Sequence, residues 1–373
     1  MHLRNAKKST PGTLDHWFLL AVMLLAGFGV IMVMSSSGIV AEKVYGDKFI
    51  FFKKQTIFAI TGVFTMFLCS KLPRKLFFNL TYLLLIAVAV LFVLVSFTPL
   101  GVSAGGATRW LSLGPISIQP LEFAKIALVF YLAYFYATKQ EKIRSFNVGV
   151  IPPFLVTGAL CGLLLMQPDF GGAVFLALLL AFMSFVGGTR VTYLLLSGII
   201  ASMGGWMLIT NSAYRLKRWT AFLDPFKSAQ AEGYQLVQSL YAFGSGKVTG
   251  AGLGAGKQKL FFLPEAHNDF IMAVVGEELG FIGMSFIFLL VGFILLRGFR
   301  IAIKQEELYN RFTAFGMILI LALGFVLNLA VVLGTVPPKG VPMPFISYGG
   351  SSLLCSFICA GVLLNLSREV GRS

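Results

Sequence analysis

Apolar residues along the chain fall into long runs separated by short polar segments. The runs lie near 17–36, 50–70, 76–97, 119–138, 149–166, 170–187, 191–210, 270–296, 312–334 and 350–366. Crossing the hydrocarbon core takes roughly 20 apolar residues in a helix, so the pattern predicts ten membrane-spanning helices. The fifth and sixth are short, and Pro152 and Pro153 belong at a helix start or a kink. The first run starts at Trp17, behind Arg4, Lys7 and Lys8, and continues to Met34. It lacks a clear small-residue cleavage site, which predicts a retained helix rather than a removed leader. The expected fold class is therefore an all-α polytopic membrane protein, one transmembrane domain over residues 1–373.

Composition sharpens this picture. Of 373 residues, 57% are hydrophobic and only 12% charged, with a mean hydropathy of +0.85. Soluble domains carry about 25% charged residues, so a water-soluble enzyme and long disorder are excluded. The net charge of +15 does not signal nucleic acid, because the cations are scattered through short loops. Counted by loop, one side with both termini holds sixteen Lys and Arg, and the short loops opposite hold six. Both termini are therefore expected in the cytoplasm. The single large loop, 211–268 between the seventh and eighth spans, then lies outside the cytoplasm. Within it, Gly233 to Phe243 shows helical spacing and predicts a short interfacial helix. Six glycines follow between Gly244 and Gly256. Cys69, Cys161, Cys355 and Cys359 lie in or at the end of apolar runs, a pattern of core residues rather than disulfides or a zinc site.

The stretch GAGLGAGK (250–257) is no phosphate loop: Ala251 stands where the first glycine is needed, and Gln258 replaces Ser/Thr. It reads as a flexible re-entrant or surface turn. Charges near or within the membrane carry more information. Glu122 and Lys125 share a helix face and can pair. Asp169, in QPDFGG, suits either a cap of the sixth helix or a functional role. Arg109 and Trp110, in an outer loop, suit either an interfacial anchor or a bidentate phosphate contact. In FLPEAHNDFIMAVVGEELG (262–280), His267 and Asp269 precede the eighth span, and Glu277 and Glu278 lie further in. At least one of these two acids should face a polar cavity or a cation. Asp269 is placed to act as a general base or metal ligand. VPPKGVPMPFISYGGSS (336–352) holds four prolines and three glycines. Continuous helix is thus forbidden, and at this depth such backbone must border protein or a water-filled cavity. Lys339 there can neutralise an anionic ligand, and a rigid connecting loop is the alternative.

These residues resemble the SEDS family (shape, elongation, division and sporulation) of polytopic bacterial cell-wall polymerases. The matching motifs are GGATRWLSLGPISIQPLEFAK (105–125), QPDFGG (167–172), YRLKRWTAFLDPF (214–226), GYQLVQSLYAFGSG (233–246), LPEAHNDFI (263–271), GEELG (276–280) and KGVPMPFISYGGSS (339–352). Ala266, where an elongation-type member would carry Arg, resembles the division type; a sporulation-type role stays open.

The resemblance implies a peptidoglycan glycosyltransferase that joins lipid II through β-1,4 bonds and releases undecaprenyl pyrophosphate. It implies Asp269 as the base that deprotonates the acceptor 4-hydroxyl, with Mg²⁺ or Mn²⁺ shared between Asp269 and pyrophosphate. Substrate contacts are expected from Arg109, Trp110, Glu122, Lys125, Asp169, Arg215, Arg218, His267, Glu277, Lys339 and Ser347. Implied partners are a class B penicillin-binding protein, an FtsI-like division transpeptidase, and other divisome membrane proteins. The implied location is the bacterial cytoplasmic (inner) membrane at the division septum. A lipid II flippase and a non-catalytic scaffold that recruits the transpeptidase are the alternatives.

Overall fold

The computed structural model describes residues 13–104, 107–114, 116–260 and 262–370. In chain order these form α1 (His16–Tyr45), α2 (Ile50–Lys71), α3 (Arg74–Asn79), α4 (Thr81–Phe97), β1 (Gly101–Ala104), β2 (Ala107–Leu113), β3 (Ile116–Ile118), α5 (Pro120–Thr138), α6 (Phe146–Gly149), α7 (Ile151–Met166), α8 (Phe170–Gly187), α9 (Val191–Thr210), α10 (Ala213–Leu223), α11 (Tyr234–Gly246), α12 (Ile271–Ile303), α13 (Leu308–Val332) and α14 (Gly350–Val370). Among the described residues nine helical segments are long and apolar enough to cross a membrane, with α6 and α7 forming one of them. The remaining predicted span is α4, an apolar helix of 17 residues. Pro152 and Pro153 stand in the first turn of α7, where their missing N–H groups are not needed.

The chain packs around α5. Almost every residue from Pro120 to Tyr136 is buried, because α4, α8, α13 and α14 surround it. At the other extreme, α9 has no buried residue and touches chiefly α8 and α10. Its apolar side chains suit lipid rather than protein. One end of the bundle is fixed by the side chain of Asp15, which accepts from the Phe18 N–H at the start of α1. Asp15 also pairs with Arg297 near the end of α12 at 2.7 Å, and its N–H donates to Ser367 near the end of α14. The first and last helices therefore have their outer termini together. The start of α12, preceded by Asp269, is at the opposite end.

Three features differ from the expectation. The connection between α4 and α5 is not a simple loop but an antiparallel sheet in the order β1-β2-β3, so the fold is not purely helical. Trp110 pairs with Val102, and Leu111 with Ile118. The register shifts between Val102 and Ser103, which leaves Arg109 as the extra, unpaired residue of a bulge in β2. Ala107 and Leu111 are buried, and β2 packs on α4 and α5.

Second, α11 forms where expected and has protein against its apolar residues. It packs on α12 and α13, burying Leu236, Val237 and Ala242, and the Ser239 hydroxyl donates to the Val332 carbonyl. Third, the predicted eighth span is broken. Residues Ile271 to Glu278 are all buried, whereas Phe281 and Ile282 are exposed. Between them Gly280 has φ 62°, ψ −161°, a region essentially reserved for glycine. The N–H groups of Phe281 and Ile282 donate to the carbonyls of Lys247 and Val248 instead of continuing the helix.

A Cβ on Gly280 would lie 2.3 Å from the Gly250 nitrogen. Gly280→Ala is expected to destabilise the fold by about 1–3 kcal/mol from backbone strain alone. The check is a lowered melting temperature of the detergent-purified variant. An unchanged melt would show that the break does not need glycine.

Candidate functional site

Irregular backbone and helix starts bring six charged side chains to the end of the bundle opposite Asp15. Glu122 and Lys125 lie in the first turns of α5, just after Pro120. Both are buried, and Lys125 Nζ lies 2.6 Å from Glu122 Oε1 and 4.3 Å over the Phe175 ring. Asp169 is the N-cap of α8, its Oδ1 accepting from the Gly172 N–H at 2.9 Å. The same oxygen is 3.6 Å from Arg109 of β2, whose Nε is buried without a partner. The cap reading of Asp169 is met, and the same carboxylate faces Arg109.

Lys339 enters from the proline-rich segment, and its ammonium donates to the Gly171 carbonyl. Burial pulls its pKa down to about 8, opposed by Asp169 and reinforced by Lys125 and Arg109. With Glu122, Lys125, Phe175, Gly340 and Pro342 it lines a narrow, partly open cleft with a cavity volume of about 10 Å³, roughly the room of one water. Asp269 stands at this segment too: a Cβ on Gly340 would come 2.7 Å from its Oδ2. Burial pushes the Asp269 carboxyl up to about 7, and Glu265 adds to the rise. Arg109 and Lys339 act in the opposite direction. Asp269, Arg109, Asp169, Lys339, Lys125 and Glu122 thus form one electrostatically coupled group.

The loop carrying Asp269 is clamped from outside itself. Asn328 of α13 donates to the Asp269 carbonyl at 2.9 Å and to the Val341 carbonyl at 2.7 Å. It joins the acid's loop to the proline-rich segment. Ser347 donates to the Asn268 carbonyl and accepts from the Met343 N–H, while Gln55 donates to the Ser347 carbonyl. Asn328 and Gln55 were not singled out from the sequence. Each is a polar residue inside an apolar run, the same signal that marks Glu122.

Several expected substrate contacts are placed elsewhere. Ser347 is buried and its hydroxyl is engaged in the clamp, so it is a structural residue. Glu277 accepts from the N–H groups of Lys257 and Gln258, deep beneath the glycine-rich run. It supports that run rather than the cleft. The His267 ring packs with Phe51 and Tyr348, and burial holds its pKa below the usual value. Arg218 lies over Tyr214 of its own helix. Arg215 reaches further, over the Phe170 ring beside Asp169, and donates to the Leu208 carbonyl. Trp110 is half-buried on β2.

No three His, Cys, Asp or Glu side chains converge among the described residues. The donor set therefore does not make a protein-only metal site. A Mg²⁺-type ion is commonly held by one or two carboxylates plus substrate phosphates, and Asp269 and Asp169 are the carboxylates near Arg109.

The fold and this cleft define a multi-pass membrane protein with a half-buried acid among cations at one end of the bundle. A family model described as "Cell cycle protein", covering FtsW, RodA and SpoVE, matches residues 15–371. The probable peptidoglycan glycosyltransferase FtsW of Trichlorobacter lovleyi is 44% identical over 353 residues, 95% of this chain and 93% of that protein. Stage V sporulation protein E of Bacillus subtilis is 39% identical over 362 residues, 97% of this chain and 98% of its own length. Among solved structures, a chain from a peptidoglycan synthase complex that coordinates polymerization and crosslinking superposes with a TM-score of 0.79 at 27% identity. The match covers 97% of this chain and 99% of that one. Thermus thermophilus RodA gives a TM-score of 0.71 at 26% identity, covering 97% and 98%. The chain belongs to the FtsW/RodA/SpoVE family.

The carboxyl of Asp269 offers a test of the site's electrostatics. Its folded pKa of about 7 lies above the ordinary value of 3.8, so the folded state holds the proton more tightly than the unfolded chain. This contribution is present below the unfolded pKa and is lost as pH rises toward 7. Asp269→Asn, which cannot ionise, is expected to melt at or above the wild-type temperature at pH 8. The difference should shrink as the pH is lowered toward 4. A variant that melts lower than wild type at pH 8 would show that the carboxylate is stabilised, not strained, by its surroundings.

Proposed function

We propose that the protein is a peptidoglycan glycosyltransferase that polymerises lipid II at the outer face of the bacterial cytoplasmic membrane. The observation that carries this reading is Asp269 held beside Arg109 and Lys339 at one end of the bundle. A carboxylate with a pKa near neutrality is matched to accept a proton at physiological pH. The neighbouring cations suit an anionic pyrophosphate.

In the reaction, the 4-hydroxyl oxygen of the acceptor GlcNAc attacks the anomeric carbon of the donor sugar. Its proton passes to Asp269. The bond from that carbon to pyrophosphate breaks, and its electron pair leaves with undecaprenyl pyrophosphate. The charge released falls against Arg109, Lys339 and Lys125, with Glu122 holding Lys125 in place. A single displacement inverts the centre and yields a β-1,4 bond. Pyrophosphate is a good leaving group, so the second carboxylic acid that glycoside hydrolysis requires is dispensable. A divalent cation, when bound, would be held by Asp269 with pyrophosphate oxygens and would stabilise the charge of the leaving group.

The relatives named FtsW support a role in division, and hence at the septum. The neighbour drawn from a peptidoglycan synthase complex supports a class B penicillin-binding protein as partner.

Purified protein with its transpeptidase partner should convert lipid II to glycan strands. Asp269→Ala should lower the rate by about 10²–10⁴-fold, the usual worth of a general base. Retained polymerisation would end this assignment, and lipid translocation in vesicles indifferent to Asp269→Ala would favour a flippase. The rate should also rise with pH at unit slope and level off above pH about 7, because the base works deprotonated. A rate that falls over the same range would exclude Asp269 as that base.

A further inference from the structure

The glycine-rich run and the acids of GEELG take no part in the cleft, yet each is built against the other. Backbone N–H groups of Gly254, Lys257 and Gln258 donate to the carboxylates of Glu278 and Glu277. Those of Ala251 and Gly252 donate to the carbonyls of the same two residues. The run that fails as a phosphate loop is therefore an anion-binding loop after all, with the anions supplied by the chain itself.

Glu278 is the centre of this arrangement. It is fully buried, and its Oε1 lies 2.6 Å from Lys259 Nζ, itself buried. Its Oε2 accepts from the Ser35 hydroxyl of α1 at 2.6 Å, and Lys259 also reaches Ser35 at 3.2 Å. Three segments distant in sequence meet here: α1, the large loop and the first part of α12.

We infer that Lys259, Glu278 and Ser35 form a buried latch that positions Asp269. The inference rests on Asp269 being the base. The enclosed part of α12, Ile271–Leu279, is a rigid rod of about 13 Å. The break at Gly280 separates it from the rest of that helix. Asp269 precedes one end of the rod and Glu278 sits at the other. Its orientation is thus set by what grips it, and α1 is the strut to which the latch ties it. The far end of α1 is held by the Asp15–Arg297 pair. A buried ion pair adds little net stability over apolar packing, but its directional bonds select one arrangement. A shift of about 1 Å at a reacting group can lower a rate about 100-fold.

Lys259→Met alone would strand a buried carboxylate, so the test uses Lys259→Met with Glu278→Gln. The amide oxygen can still accept from Ser35 and Gly254 while the ion pair is gone. The expected result is a kcat for lipid II polymerisation lowered at least about tenfold. KM for lipid II should stay within about twofold and the melting temperature within a few degrees. Unchanged kcat per folded molecule would overturn the inference and leave the latch a support of the fold only. Should the double variant not fold, Ser35→Ala removes just one hydroxyl. It is expected to lower kcat about threefold at constant KM, and an unchanged kcat would again overturn the latch. Asp269→Ala measured alongside separates the two readings. If it is active, the base assignment fails; if it is inactive while the latch variants keep full kcat, only the latch fails.

Discussion

Backbone that is neither helix nor closed sheet can exist at membrane depth only where protein supplies its hydrogen-bond partners. One wall of the cleft, Lys339 to Pro342, and the loop that carries Asp269 are such backbone, so both depend on the partners. Asn328 serves the carbonyls of Asp269 and Val341, and Ser347 serves those around Asn268 and Met343. Lys247 and Val248 take the N–H groups released by the break at Gly280. The bonds of Asn328 and Ser347 hold the segments that carry Asp269 and Lys339, and those at Gly280 pair the peptide groups freed by the break.

The same constraint governs the charges. A lone ion in a low-dielectric interior is strongly disfavoured, and the buried Lys125 and Lys259 and the half-buried Lys339 are each answered. Lys125 has Glu122 and the face of Phe175, and Lys259 has Glu278 and Ser35. Lys339 has the Gly171 carbonyl and the field of Asp169. Asp269 differs from them. Its neighbours lower its pKa less than burial and Glu265 raise it, so it remains an acid ready to exchange a proton near neutrality. The lysines are answered by carboxylates, a hydroxyl or a carbonyl, whereas at Asp269 burial outweighs the neighbouring cations.

Much of this was legible in the residues. Among the described residues nine of the ten apolar runs form helices long and apolar enough to cross a membrane and the tenth forms the shorter α4, because lipid thickness sets the length of a crossing. Glu122 and Lys125 stood out as charges inside an apolar run, and Arg109, Asp169, Asp269 and Lys339 as charges in outer loops or just before a helix, and they converge. The sheet of residues 101–118 was missed because three short strands show too little alternation beside strong helical signals. Ser347, Glu277 and His267 were selected for their place in motifs, and a motif does not say whether a polar group faces a cavity or the chain's own backbone.

The one-dimensional pattern by itself determined the membrane class, the number of apolar segments and which charges were too costly to be incidental. These depend on transfer from water to hydrocarbon, a property of each residue taken singly. Only the tertiary structure decided which carboxylates were tied down. Glu277, Glu278 and Asp269 lie within nine residues of sequence and look alike there. Their fates differ because the glycine run folds back over two of them, and Gly280 turns the rod that leaves the third at the cleft. Such partners come from segments far apart in sequence, and spacing along the chain carries no record of them.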